Sequence, residues 1–304
     1  MMRPSFLHNN DKVGIVAPAS AINFEAIKKA VTLLSSWGLQ VILSDNIQES
    51  HFQFAGDDEK RLFSLQKMLD DPEIKCIFCA RGGYGTSRII DLINEKQLIK
   101  YPKWIVGFSD ITLLHCVLLK NNICSIHGPM AINFHEEDSE ISLQRLRAYL
   151  FEGEYPEISF ENIDRNKPGS ASGELFGGNL TMIVNSLGTP SEIDLKYKIL
   201  FLEDIDEELY RIDRMVVQLK RSNKLNHLKG LILGHFTRIG KSSDKFGQTL
   251  EEIFLEHTSN FSYPICFNAP IGHEMPNFPM IIGQSVHLNV GRSKATLSLQ
   301  EYTS

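Results

Sequence analysis

The first half of the chain alternates short apolar runs with amphipathic stretches, and this alternation constrains the fold more than any other feature. The apolar runs predict strands at residues 13–17, 40–43, 75–80, 104–106 and 123–126. Helices are predicted between them at residues 24–37, 57–70, 87–94 and 110–120. Because no hairpin signal joins the strands, we expect an α/β domain with a parallel sheet, helices on both faces and ligands at the carboxyl ends of the strands.

The second half resumes a regular pattern at Gly173, after a looser stretch of charged, Pro- and Gly-containing sequence. A helix is predicted up to about residue 187, with further helices at 207–220 and 249–257. Strands are predicted at 198–202, 230–234, 264–268, 280–283 and 286–290. The last strands are too close together for crossover helices, so this half should mix strand directions. We therefore predict domains at 1–135 and 172–304, joined by a linker at 136–171.

The composition is that of an ordinary globular protein, with 42% hydrophobic and 22% charged residues and a formal net charge of -6. Since there is no basic stripe, we expect no nucleic-acid partner and no membrane partner, and a small-molecule or peptide substrate is favoured. Residues 1–12 are polar and charged where a signal peptide needs an apolar run, and no later segment approaches the length of a membrane span. These features predict a cytoplasmic protein.

The cysteines are five, an odd number that fits reduced thiols better than a disulfide framework. Cys76 and Cys79 form a C-x-x-C, but they lie in a predicted strand, where an offset of three residues sends side chains to opposite faces. Buried structural cysteines are therefore the preferred interpretation.

Residues 104–115 predict a buried strand, an abrupt turn that carries Ser109, and a helix. Gly107 permits a tight turn, so the serine hydroxyl would be held at the carboxyl end of the strand, beside the first free amides of the helix. The nucleophile-elbow pattern places a glycine two residues after the serine, whereas this chain has Ile111. A nucleophilic serine and an ordinary N-cap serine both remain open on these residues.

A nucleophilic serine needs a base and a group that orients the base. His273 lies in a loop just after a predicted strand, where its side chain can point into a cleft, although a surface histidine would have the same sequence context. Glu203 ends an apolar run, and a carboxylate at the rim of a sheet can accept the imidazole N–H. The alternative role for Glu203 is to favour the N-terminus of the next helix.

A metal site of the H-E-x-x-H type is not predicted at His273-Glu274. The fifth position of that pattern is Asn277, and Pro276 would disrupt the helix that the pattern requires.

A glycine-rich turn, Arg81-Gly82-Gly83-Tyr84-Gly85, lies between a predicted strand and a predicted helix. Such turns expose backbone amides to a phosphate or to a tetrahedral oxyanion. The turn lacks the glycine spacing of dinucleotide-binding loops and of P-loops. An oxyanion donor at Gly83, acting with the amide of Asp110, fits a nucleophilic Ser109, while a turn that merely needs positive φ remains the alternative. His127, at the end of another strand, is interpreted as a structural or pocket-wall histidine.

Taken together, these segments resemble the LD-carboxypeptidase family of serine peptidases, which includes muramoyl-tetrapeptide carboxypeptidases and microcin-immunity peptidases. The likeness covers nearly the whole chain and is carried by residues 13–19, 81–85, 107–110, 177–180, 201–204 and 272–273. It implies a Rossmann-like parallel-sheet N-terminal domain and a smaller β-rich α+β C-terminal domain that carries the glutamate and the histidine.

The resemblance also implies the roles of the site residues. Ser109 would be the nucleophile, His273 the general base and Glu203 its partner, with the amides of Gly83 and Asp110 as the oxyanion hole. The implied reaction is hydrolysis of an L,D-peptide bond, typically release of D-alanine from the murein tetrapeptide during cell-wall recycling in the cytoplasm. No metal or organic cofactor is required. Related enzymes are often dimers, so a homodimer is a further expectation that nothing in the sequence itself supports.

Alternatives remain for the substrate and for the functional class of the protein. The compact segment between Asp206 and His273 leaves little room for a large added loop, which favours a murein-derived peptide, while a peptidyl-nucleotide substrate of the microcin-immunity type stays open. Arg81 is a candidate to hold the free carboxylate of the substrate, with a structural ion pair as the alternative. Two other classes compete: a non-catalytic nucleotide or sugar-phosphate binding protein that uses residues 82–85, and a metal-dependent hydrolase that a chelator would inactivate.

Overall fold

The computed structural model of the chain describes residues 1–161, 165–240, 243–291 and 293–300. The chain divides into two compact units. The first unit contains Met1–Glu154 and Met275–Gly283, and the second contains Tyr155–Glu274 and Gln284–Ser304. The first boundary between the two units therefore follows residue 154. Residues 275–283, late in the chain, belong to the first unit again.

The first part of the chain contains the predicted alternation of strands and helices. Its strands are β1 (Lys12–Val16), β2 (Gln40–Leu43), β3 (Ile74–Cys79), β4 (Trp104–Gly107) and β5 (Ser125–His127). Its helices are α1 (Phe24–Ser36), α2 (Asp58–Asp70), α3 (Lys96–Lys100), α4 (Thr112–Lys120) and α5 (Ser139–Glu152). The side chains of Asn23 and Asp57 cap α1 and α2 by accepting hydrogen bonds from amides of the first turn, which fixes where these helices begin.

The second part of the chain is richer in strand. Its strands are β6 (Ile158–Glu161), β7 (Gly169–Asn179), β8 (Lys198–Ile205), β9 (Gly230–Thr237), β10 (Ile265–Cys266), β11 (Met280–Ile282), β12 (Ser285–Val290) and β13 (Lys294–Leu299). Its helices are α6 (Leu180–Asn185), α7 (Leu209–Arg221), α8 (Ser243–Phe246) and α9 (Leu250–Thr258).

The sheet of the first unit has the order β2-β1-β3-β4-β5-β11. The pairings from β2 to β5 are parallel, and only β11 runs antiparallel to its neighbour β5. The strand order reverses between β1 and β3, which is the point where open α/β sheets hold their ligands. The loop after β1 and the glycine-rich turn after β3 therefore lie where a binding crevice is expected.

The sheet of the second unit has the order β10-β9-β8-β7-β12-β13-β6. Strands β7 to β10 pair in parallel, and β12, β13 and β6 pair antiparallel. Glu203 lies near the carboxyl end of β8, one of the two inner strands of the parallel part. The predicted fold class, a parallel α/β unit followed by a mixed unit rich in strands, is confirmed.

Several boundaries differ from the sequence predictions. The predicted linker at 136–171 contains α5, β6 and the start of β7, and its residues 162–164 lie outside the described part of the chain. The strand predicted at 280–283 does not belong to the sheet of the second domain, because β11 pairs with β5. The helix predicted at 87–94 is instead two 3₁₀ turns, Thr86–Arg88 and Ile90–Leu92, with Ile89 at φ -121° between them.

All five cysteines are buried free thiols: Cys76, Cys79, Cys116, Cys124 and Cys266. Burial raises the pKa of Cys76, Cys79, Cys116 and Cys266, so the thiolate form is strongly disfavoured at these positions. Within the described ranges, no helix has both the length and the apolar character that crossing a bilayer would require.

Candidate active site

Ser109 lies at the carboxyl end of β4, in a backbone conformation that serine rarely adopts. Its φ is +61°, in the left-handed region, and a 3₁₀ turn from Ser109 to Ile111 then leads into α4. Ser109 is partly exposed, whereas Phe108 and Asp110 on either side are buried. Backbone strain of this kind collects at functional sites, and a nucleophile elbow also holds its serine on a strand-to-helix turn.

Gly107 allows this turn to form. A Cβ at this position would lie 3.0 Å from Cγ2 of Ile111 and 3.2 Å from Cβ of Cys79. The absence of a side chain therefore lets the helix start close to the strand. The side chain of Ile111 occupies the space that a Cβ on Gly107 would approach. Ile111, where the elbow pattern has glycine, therefore does not prevent the tight turn.

The glycine-rich turn packs directly against the serine. A Cβ on Gly82 would lie 3.1 Å from Cβ of Ser109 and 3.4 Å from the amide nitrogen of Asp110. Gly83 has φ +101°, and the amide of Tyr84 donates to Oγ of Ser20 at 3.2 Å. The structure thus brings the turn that contains Gly83 together with Ser109 and Asp110.

The side chain of Asp110 ties these two turns to each other. It is 1% exposed, and its Oδ2 accepts a hydrogen bond from the amide of Thr86 at 2.8 Å. Burial raises the pKa of Asp110, although hydrogen bonds from Thr86 act in the opposite direction. The carboxyl group is therefore used to hold the glycine-rich turn, while the amide of the same residue remains at the start of the 3₁₀ turn.

His115 binds the end of the strand that precedes Ser109, a role that the sequence did not indicate. It is fully buried, its Nε2 donates to the carbonyl of Gly107 at 2.8 Å, and its Nδ1 accepts from Oγ of Ser125 at 2.9 Å. Burial lowers the pKa of His115 to about 4, so it is neutral and cannot act as an exchanging base near neutral pH. Its sequence carries no signal for this role, because a histidine on an apolar helix is ordinarily a core residue.

Glu203 and His273 meet in the second unit. Nδ1 of His273 lies 2.6 Å from Oε2 of Glu203, whose side chain is completely buried at the end of β8. Within the described residues, Oε1 of Glu203 has no hydrogen-bond partner, so the histidine is the main group that stabilises this carboxylate. A ring whose Nδ1–H donates to a carboxylate keeps Nε2 as the basic nitrogen.

The environment of His273 sets its protonation. Burial lowers the pKa of His273, but the charge and hydrogen bond of Glu203, together with the charge of Asp204, outweigh this and raise it above the ordinary value of 6.5. The loop that carries His273 is held at its base, because the amide of His235 on β9 donates to the carbonyl of Ile271 at 2.7 Å. Gly272, at φ +126°, allows the chain to pass close to Glu203.

Asp204 anchors the strand ends around Glu203. It is 2% exposed and accepts hydrogen bonds from Nδ2 of Asn179 at 2.8 Å and from the amide and hydroxyl of Thr181 at 2.9 and 2.8 Å. These bonds tie the carboxyl end of β7 and the start of α6 to β8. The neighbouring carboxylates at 203 and 204 therefore have different partners, one a histidine and one a helix N-terminus.

Arg81 and His127 complete the sequence-predicted residues. Nη1 of Arg81 donates to the carbonyl of Ala21 at 3.2 Å, and within the described ranges its guanidinium forms no ion pair. The structural ion pair considered for Arg81 is therefore not observed there. His127 is buried, with its ring centroid 5.6 Å from that of Phe108.

Two family models match the chain over most of its length. The LD-carboxypeptidase N-terminal domain matches residues 13–128, and the LD-carboxypeptidase C-terminal domain matches residues 172–288. The chain belongs to the LD-carboxypeptidase family. The family resemblance inferred from the motifs is thereby confirmed, and the chain is a serine-type peptidase by family.

Individual relatives agree with this assignment. The chain is 35% identical over 306 residues to a probable murein peptide carboxypeptidase of Bacillus subtilis (strain 168), covering 97% of this chain and 94% of that protein. A crystal structure of muramoyltetrapeptide carboxypeptidase from Oxalobacter formigenes matches with a TM-score of 0.85 and 31% identity, over 96% of this chain and 100% of that chain. The microcin C7 self immunity protein, in complex with aspartyl sulfamoyl adenosine, matches with a TM-score of 0.88 over 100% of both chains. Its identity is 17%, which shows the fold alone.

Proposed function

We propose that this chain is a serine LD-carboxypeptidase that removes the terminal D-alanine from murein tetrapeptide, with Ser109, His273 and Glu203 as its catalytic residues. The observation that carries the proposal is the strained, accessible Ser109 beside the glycine-rich turn, in a chain of this family. The 2.6 Å contact between His273 and Glu203 supports it, since an oriented base is what a serine nucleophile requires. A murein-derived peptide fits the names of the relatives, and cytoplasmic cell-wall recycling is the proposed setting.

In the proposed mechanism, Oγ of Ser109 attacks the carbonyl carbon of the scissile L,D-bond while Nε2 of His273 takes the hydroxyl proton. The amides of Gly83 and Asp110 stabilise the oxyanion of the tetrahedral intermediate. The C–N bond then breaks, and His273 returns the proton to the nitrogen of the departing D-alanine. Water, deprotonated by His273, cleaves the acyl-enzyme and restores Ser109. Arg81 is the candidate to bind the free carboxylate of the substrate, because its guanidinium is charged and forms no ion pair in the described structure.

The test is mass spectrometry of murein tetrapeptide incubated with the wild type and with Ser109→Ala. We expect the wild type, but not Ser109→Ala, to remove one alanine from the tetrapeptide. This activity should persist in the presence of a chelator. The diastereomer that ends in L-alanine should not be cleaved. Cleavage by both proteins would remove Ser109 from the mechanism, and abolition by the chelator would overturn the role assignments.

A second substrate distinguishes the alternative function. Aspartyl sulfamoyl adenosine, the compound named with the microcin C7 self immunity protein, is incubated with the same two proteins. Hydrolysis of this compound without cleavage of the tetrapeptide would move the assignment to the microcin-immunity type. Binding of aspartyl sulfamoyl adenosine, with neither compound hydrolysed, would favour a non-catalytic nucleotide-binding protein.

A further inference from the structure

The first unit contains a fully buried arginine beside the glycine-rich turn. Arg61, on α2, is 0% exposed, and its guanidinium forms an ion pair with Asp58 and lies 4.9 Å from the ring centroid of Phe54. A buried guanidinium is costly unless it is paired and hydrogen-bonded. Its remaining hydrogen bonds therefore show which part of the fold it organises.

Those hydrogen bonds go to two backbone carbonyls on different loops. Nη1 of Arg61 donates to the carbonyl of Pro18 at 2.6 Å and to the carbonyl of Gly85 at 2.9 Å. Pro18 belongs to the loop after β1, and Gly85 ends the glycine-rich turn after β3. The guanidinium thus joins the two loops at the point where the strand order of the sheet reverses.

The two loops are also in direct contact, and the arginine fixes how they meet. The amide of Ser20 donates to the carbonyl of Gly82 at 3.3 Å, and the amide of Tyr84 donates to Oγ of Ser20. A Cβ on Gly85 would lie 2.6 Å from Nη1 of Arg61 and 3.2 Å from Cα of Ala19, so this glycine, at φ +145°, is packed between the arginine and the loop. Gly83 is held between these fixed points.

We propose that Arg61 is a positioning residue of the oxyanion hole: by holding the carbonyls of Pro18 and Gly85 it aims the amide of Gly83 at the oxyanion beside Ser109. This inference rests on the proposed function. An oxyanion donor acts only if it already points at the developing charge, so a small rotation of the turn reduces its effect. Lysine cannot replace the planar fork of arginine, because its ammonium is a single point of donation on a flexible stem.

The test compares Arg61→Lys and Arg61→Met with Arg88→Lys. Arg88 is the matched control, because it also bonds to Asp58 and lies 5.6 Å from the ring centroid of Phe54, yet its side chain is 47% exposed. Active sites are counted with a fluorophosphonate probe, and kcat and KM for murein tetrapeptide are expressed per labelled site. We expect kcat to fall about 10-fold to 1,000-fold in the Arg61 variants, with KM changed less than about 3-fold, and kcat within about 2-fold of wild type for Arg88→Lys.

The labelling rate separates this inference from the proposed function. Phosphonylation of Ser109 uses the same oxyanion site without a murein peptide, so its rate constant should fall in both Arg61 variants even if the tetrapeptide proves to be the wrong substrate. Absence of both labelling and cleavage in the wild type would overturn the proposed function and this inference with it.

A merely structural role would give a different result. In that case the Arg61 variants would show fewer labelled sites or a lower melting temperature, but each remaining site would keep the wild-type labelling rate and kcat. That result overturns the proposal. If Arg61→Met does not fold, Arg61→Lys alone is measured in the same way and judged by the same criterion.

Discussion

The backbone conformation of Ser109 is energetically unfavourable. A left-handed φ at a non-glycine residue costs on the order of 1–3 kcal/mol and persists only where the surroundings enforce it. Here the enforcement comes from Gly107, which lets Ile111 approach the strand, and from His115, which holds the carbonyl of Gly107. These contacts hold the turn that carries the serine.

The pair of His273 and Glu203 gives a pH prediction at the same scale. In its proposed role as the base, His273 must be neutral to accept a proton, so activity should fall as the pH drops through its raised pKa. In Glu203→Gln the carboxylate charge is gone, the pKa of His273 falls, and the acidic limb of the kcat/KM profile should move to lower pH. We also expect kcat to fall by about 10,000-fold, because the amide no longer enforces the required tautomer.

The control for this prediction is Glu274→Gln, which neutralises the exposed carboxylate next to His273 and should leave the acidic limb and kcat close to wild type. An acidic limb at the same pH in Glu203→Gln as in the wild type would show that another group sets the pH dependence.

At the scale of elements, the close approach of β7 and β8 decides where Glu203 lies. Gly177 pairs with Phe201, and a Cβ on Gly177 would lie 1.9 Å from the carbonyl oxygen of Phe201. Gly177→Ala must push the strands apart two residues before Glu203. We expect a loss of about 2 kcal/mol or more in the free energy of unfolding, together with a lower kcat in the folded fraction, measured by urea unfolding and tetrapeptide assay.

Gly128→Ala is the matched control for this substitution. A Cβ there would have its nearest contact at 3.5 Å, an ordinary van der Waals distance. Equal losses of stability in the two variants would show that the close contact between β7 and β8 is not the cause.

The sequence predicted most elements of the parallel sheet because apolar periodicity is local. It placed Ser109 just after a strand, as the structure shows. Glu203 was expected to follow a strand, whereas β8 continues to Ile205, and His273 lies in the long loop between β10 and β11. The roles of these residues came from the motifs. The sequence prediction missed the two 3₁₀ turns at 86–92 because tertiary contacts override a weak helical preference there: Arg88 is drawn to Asp58, and the amide and carbonyl of Asn94 bond to Gln66. The sequence does not indicate the buried contacts of Arg61 and His115, because Arg61 joins two loops and His115 joins two strands that meet only in the fold.

At the scale of the whole molecule, the path of the chain is interleaved. The segment Met275–Gly283 leaves the second unit to add β11 to the edge of the first sheet, and Met280, Ile281 and Ile282 are fully buried there. Periodicity predicts a strand in this segment but cannot say which sheet receives it, because strand pairing between distant segments leaves no local signal. Sheets avoid pairing with other molecules by protecting their edge strands.

A substitution near the end of the chain should therefore destabilise the unit formed by its beginning. We expect Ile281→Ala to cost about 2–5 kcal/mol and to speed hydrogen exchange in β4 and β5, with β12 and β13 less affected. Leu288→Ala on β12, equally buried, should show the reverse pattern. Faster exchange confined to β12 and β13 in Ile281→Ala would contradict the assignment of this segment.

The buried cysteines have a practical consequence. Cys76, Cys79, Cys116 and Cys124 belong to the first unit and Cys266 to the second, and none presents an accessible thiol in the native fold. A short pulse of alkylating reagent during denaturation, followed by counting of the added masses, would read the opening of each unit separately. The native chain thus already carries site-specific unfolding reporters in both halves, without any engineered label.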